Sequence, residues 1–103
     1  MDMLSINTTA KNVRSGIADA LKDTPYTAYS VCLFPSQQRG KISLTVTTAQ
    51  GRECTLTYLL GDRTQEDVEA VNTGHDHAVH VISDVANAQH INAHVSKWLA
   101  AAE

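Results

Sequence analysis

Histidine is the side chain best suited to chemistry near neutral pH, and all five histidines of this 103-residue chain fall in one run, GHDHAVHVISDVANAQHINAH, at 74–94. His90 and His94 stand four residues apart, the spacing that puts two imidazoles on one face of a helix. His75 and His77 form a His-x-His pair able to add a third ligand. That chemistry would be capture of a divalent ion such as Zn²⁺. The surrounding residues do not complete a metal motif: there is no H-E-x-x-H, no thiolate pair and no obvious carboxylate to orient a ligating ring. His75, His77, His90 and His94 are therefore weak metal candidates, weighed against the plainer reading of solvent-exposed polar side chains. No cofactor is expected. Five imidazoles titrating together would also carry the formal charge from −3 toward +2 on acidification.

Nucleophilic or acid–base work would need Cys32 or Cys54 with His80, or His80 with Asp84. None of these residues sits in a phosphate-cradling glycine loop or a nucleophile elbow. No catalytic residue is assigned, and a small enzyme with a Cys/His or His/Asp site ranks third among the function classes.

Charge is more informative. Between Asp62 and Asp84 six acids face Arg63 alone, a local balance of −5 within a chain of net charge −3. Lysines and arginines are scattered elsewhere without aromatic interleaving, which argues against direct nucleic-acid binding, where clustered cations must displace counterions. Asp62, Glu66, Asp67, Glu69 and Asp76 make the expected contact surface for a protein partner with a basic surface. The leading expectation is a non-enzymatic protein-binding module, a small regulatory or inhibitory protein. Its size and acidity suit phage- or plasmid-encoded inhibitors of host nucleic-acid machinery. Metal binding through 75–94 is the alternative.

The opening MDMLSINTTAK has the pattern of neither a signal peptide nor a membrane anchor, and the two cysteines lie 22 positions apart in apolar runs without C-x-x-C spacing. The expectation is a cytoplasmic protein with free thiols and no membrane contact. With 43% apolar and 18% charged residues, the chain is expected to fold as one domain over 1–103.

The elements that must position these groups follow from periodicity. Val13, Ile17 and Leu21 predict a helix over about 9–22, capped by Asn7 or Thr8 and ended by the Asp-Thr-Pro at 23–25. Three strand-like runs come next, at 26–34, 41–48 and 52–60. In the last two, Ile42, Leu44, Val46, Cys54, Leu56, Tyr58 and Leu60 alternate with a threonine-rich face expected to be open to water. Gly51 supplies their hairpin turn. Thr64-x-x-Asp67 starts a short acidic helix ending at Gly74, and AVHVI at 78–82 favours a fourth strand over a helix. A last helix, capped by Ser83 or Asp84, carries Val85, Ala88, Ile91, Val95, Trp98, Leu99 and Ala102 on one stripe, with His90 and His94 far enough from it to be exposed. The first strand has no charge to protect it as a sheet edge, so a homodimer by sheet extension, or by helix packing around Trp98, is a further expectation. The fold class is α+β, an antiparallel three- to four-stranded meander with helices on one face, in the order α-β-β-β-α-(β)-α. The expected core is Val13, Ile17, Leu21, Ile42, Leu44, Val46, Leu56, Tyr58, Val85, Ile91, Val95, Trp98 and Leu99.

Overall fold

A computed structural model describes residues 3–26, 29–71, 76–83 and 87–102, the side chains of residues 3 and 4 excepted. The elements are α1 (Met3–Leu21), β1 (Tyr29–Phe34), a 3₁₀ turn (Pro35–Gln37), β2 (Arg39–Thr47), β3 (Glu53–Leu60), α2 (Gln65–Val71), β4 (His77–Ile82) and α3 (Ala88–Ala102). The four strands lie in sequence order.

The first three strands pair antiparallel as a meander, with Val31 opposite Ile42 and Leu44 opposite Leu56. The turn between β2 and β3 closes by Gly51 N–H donating to Thr48 O at 2.9 Å, with Gly51 at φ 82°, a conformation a Cβ would penalise. β4 departs from the expected antiparallel order. It pairs parallel to β3, with Tyr58 opposite His80 and Leu60 opposite Ile82, so the sheet is mixed. The reason is α2: a crossover between adjacent strands carries the chain back to the end where β3 began, and the next strand then runs the same way. The Thr64 cap forms as the sequence implies. Asp67 N–H donates to Thr64 Oγ1 at 3.1 Å, and Thr64 N–H donates back to the Asp67 carboxylate at 3.0 Å. The proposed end of α2 at Gly74 lies outside the described residues.

α1 begins at least one turn earlier than expected, so neither Asn7 nor Thr8 caps it. Ile6 continues the apolar stripe of Ala10, Val13, Ile17 and Leu21, all buried, and burying that extra turn outweighs a cap at Asn7 or Thr8. At the other end Thr24 Oγ1 donates to Leu21 O at 2.8 Å, closing the helix before Pro25. α3 begins later than expected. Ser83 lies outside it, and the cap is Asn87, whose Oδ1 accepts the His90 N–H at 2.8 Å. Asp84 and Val85 lie outside the described residues.

α1 and α3 pack side by side on the face formed by Ile42, Leu44, Val46, Cys54, Leu56, Tyr58 and Leu60, and these residues form one apolar core with the helix stripes. Every described residue of the expected core is buried except Trp98, which lies half-buried at its margin. The threonine face is only partly open. Thr45 and Thr47 are exposed, but Thr57 and Leu59 on that same side are 0% and 1% exposed. The buried Thr57 hydroxyl bonds Ser43 Oγ at 3.0 Å and His77 Nε2 at 2.9 Å. Among the described residues no helix is long and apolar enough to cross a membrane.

Candidate functional site

Tyr58, His80 and His94 meet at the junction of β3, β4 and α3. Tyr58 stands mid-strand on the helix-covered face, fully buried. Its register partner on β4 is His80, because in β4 it is Ala78, His80 and Ile82 that share the core side, while Val79 and Val81 face away with Thr57 and Leu59. His80 thus does lie opposite the two valines, but the histidine is on the helix side and the valines are not. α3 brings His94 over both. Tyr58 Oη and His94 Nδ1 are 2.6 Å apart, the His80 and His94 rings lie 4.7 Å apart and tilted by 36°, and the Tyr58 ring meets each histidine edge-on at 5.8 and 5.6 Å.

Burial dictates the protonation pattern. Removing Tyr58 from water pushes its phenol well above the ordinary tyrosine range, so it stays protonated and must donate. Among the described residues His94 Nδ1 is the hydrogen-bond partner of the hydroxyl, so the assignment that satisfies both is O–H donating to an unprotonated Nδ1, with the His94 proton on Nε2. The His94 pKa is pushed down, first by burial and then by repulsion from His80, His90 and Lys97. The arrangement holds a neutral imidazole at neutral pH against a buried phenol, with a second imidazole tilted beside it.

The sequence candidates are distributed differently. His94 is half-buried and bonded rather than exposed, because a helical wheel measures distance from the apolar stripe and does not show that β3 and β4 run beneath its flank. His90 is exposed as expected. His77 is tied to Thr57 on the other side of the sheet, so it does not converge with His94, and His75 lies outside the described residues. Among the described residues no group of three His, Cys, Asp or Glu side chains could hold a metal ion. Cys32, on β1, is three strand positions from His80, roughly 14 Å at ordinary strand spacing, so those two cannot form a dyad. Tyr58 was legible as core but not as a partner for histidine. The available signal was that a buried tyrosine hydroxyl needs an acceptor.

At the other end of β3 lies a cleft of about 190 Å³ lined by Arg52, Cys54, Asp76, His77 and Trp98 among others. Arg52 Nη2 donates to Ala102 O at 3.0 Å and its Nε lies 3.6 Å from the Asp76 carboxylate, so one guanidinium joins the start of β3, the approach to β4 and the last turn of α3. Arg52→Ala is expected to fray that turn while leaving the core intact. Hydrogen exchange should quicken at the α3 C-terminus and remain slow in β2 and β3; unchanged exchange at both places would show the clamp to be idle.

The acidic residues divide by use. Asp76 is paired with Arg52, and Asp67 is held in the α2 cap. The Asp67 pKa is lowered, chiefly by the backbone N–H of Thr64, so its charge persists well below neutral pH. Asp62, Glu66 and Glu69 are exposed, and the one ion pair among the described residues involves none of them.

Fold and site together define the class: a small α+β protein with a mixed four-stranded sheet, two helices on one face and a tyrosine–histidine cluster beneath the second of them. Beyond that class, no protein-family model, no curated protein and no solved structure matches the chain.

Proposed function

We propose that this chain is a single-domain protein-binding module, regulatory or inhibitory in role, that presents the acidic surface of Asp62, Glu66, Asp67, Glu69 and Asp76 to a partner with a basic surface. The observation that carries this reading is the exposure of Asp62, Glu66 and Glu69 around α2 without a neutralising cation at ion-pair distance among the described residues. Unneutralised charge of one sign accelerates encounter with a partner of the opposite sign and is screened by salt. Asp67 adds to the same field although its carboxylate serves the cap; Asp76 contributes less because Arg52 offsets it. Both thiols are free, which suits the reducing cytoplasm we assign to it. A phage- or plasmid-encoded inhibitor acting on the host's nucleic-acid machinery is the form of regulator that this size and charge fit.

The test is a pull-down from native host lysate with the wild-type chain and with the triple variant Asp62→Lys, Glu66→Lys, Glu69→Lys, all three residues exposed. The variant is expected to lose the captured partner, and the wild type to release it as salt rises. Equal capture by both chains defeats the acidic-surface reading.

A further inference from the structure

The strand at the opposite edge of the sheet, β1, carries a different surface. α1 packs over β2, β3 and the 3₁₀ turn, and on β1 Tyr29 and Leu33 are only partly buried against the core, so the helix layer covers β1 incompletely. The result is seen in exposure: Val31 points to the helix side of the sheet yet is 36% exposed, and Phe34 on the other side is 49% exposed, the two exposed large apolar side chains among the described residues. β1 pairs only with β2 among the described strands, so alternate residues direct unpaired N–H and C=O groups outward. Its sequence, YSVCLF, holds none of the lysines or prolines that guard such edges. Above it, the flank of α1 presents Lys11, Arg14 and Lys22 at helical spacing, all exposed. Lys11, Arg14, Ser15, Ala18 and Tyr29 line a hollow of about 370 Å³ between that flank and the strand.

We infer that β1 is a docking strand for an extended acidic segment of another protein, which adds to the sheet as a fifth strand with its acidic side chains turned toward Lys11 and Arg14. Backbone pairing supplies the register, and the cationic flank selects the partner. The charge also argues against a second copy as the occupant. Antiparallel pairing of β1 with itself about a two-fold axis would bring the two α1 flanks together, setting Lys11 and Arg14 of each copy against those of the other. On the remaining positions of an added strand, pointing to the other face, apolar side chains meet Cys32 and Phe34. The fitting sequence therefore alternates acidic and apolar residues. This surface is separate from the acidic one around α2 and does not depend on it.

The probe is a fluorescein-labelled synthetic peptide of alternating glutamate and valine, with the lysine–valine peptide as its control. Anisotropy at low salt should show saturable binding of the glutamate peptide at or below ~1 mM. Amide exchange should slow along Tyr29–Phe34 when it binds. Lys11→Glu with Arg14→Glu should weaken binding roughly tenfold or more, and Val31→Glu, which sets a like charge beside the acidic side chains of the added strand, should weaken it while the urea midpoint confirms that the variant folds. The proposal is overturned by equal binding of the lysine peptide, by protection that falls outside β1, by no binding at ~1 mM, or by preferential binding of an RNA duplex through Lys11 and Arg14. Self-association of the free protein through β1, seen by light scattering and by concentration-dependent shifts of Tyr29–Phe34, would overturn it in favour of a second copy.

Discussion

Replacing Gly16 by valine is expected to force α1 and α3 apart and to cost about 3 kcal/mol of stability. Gly16 of α1 is buried against Ala88 and Ile91 of α3. A Cβ built there would stand 2.6 Å from Ile91 Cβ and 2.7 Å from both Ile91 Cγ2 and the Ala88 carbonyl oxygen. The last of these is backbone, and Ile91 Cβ is fixed to it, so no side-chain rotation makes room; one helix has to move. Even alanine should destabilise. It gains about 1 kcal/mol of helix propensity over glycine but must open a closely packed contact, at a cost of about 1–3 kcal/mol. Ser15→Ala, one residue away and exposed, is the control expected to be nearly neutral. Urea unfolding of the three variants measures this, with the midpoint shifted and the slope retained. A Gly16→Ala protein as stable as the wild type would mean that the helices can separate without loss. Because α3 carries His94, the same displacement should also break the Tyr58–His94 bond, visible as a change in the His94 imidazole resonances.

The second large effect is a stability maximum bounded by the two members of that bond. His94 has its folded-state pKa pushed below the ordinary histidine value by burial and by His80, His90 and Lys97, while the phenol of Tyr58 on β3 offers no compensating negative charge. Between the folded value and about 6.5 the unfolded chain binds the extra proton more readily. Stability is therefore complete above about 6.5 and declines as the pH falls through that window. At the alkaline end the sign reverses. Tyr58 is pushed up by burial, so above about 10 the unfolded chain loses its phenolic proton first and stability falls with rising pH. Urea midpoints should peak in the neutral range, and the His94 resonance should titrate below about 6.5. Tyr58→Phe keeps the ring and removes the donor to half-buried Nδ1. It should cost about 1–3 kcal/mol at neutral pH and raise the His94 titration midpoint as the site loosens. His94→Gln should flatten the acid decline. Stability unchanged from pH 5 to 8 in the wild type would remove this account.

Short-range interactions leave their pattern in the sequence, and long-range ones do not. α2 with its Thr64–Asp67 cap, the β2–β3 hairpin at Gly51 and the apolar stripes of both long helices rest on contacts a few residues apart, and local spacing carries them. Element ends were less secure. α1 extends back through Ile6, and α3 waits until Asn87, because the winning partner in each case is decided by which turn the rest of the core can bury. The direction of β4 is intermediate: the helix inserted between two adjacent strands implies parallel pairing, but only if those strands are neighbours in space.

The candidate site was the least legible part, and for a definite reason. Tyr58 and His94 are 36 positions apart and His80 comes from a third element, so no period links them. Local patterning suffices for the α+β class, the alternation that buries one side of β2 and β3, and the unbalanced acids around α2. Long-range packing sets which side of β4 faces the helices, and hence divides a clustered run of histidines between two sides of a sheet, with His77 bonded to Thr57 on one and His80 beside His94 on the other. Alternation says that neighbouring side chains point to opposite faces. Which face is covered depends on where α1 and α3 come to rest, and that is set by the packing of distant residues such as Gly16 against Ile91.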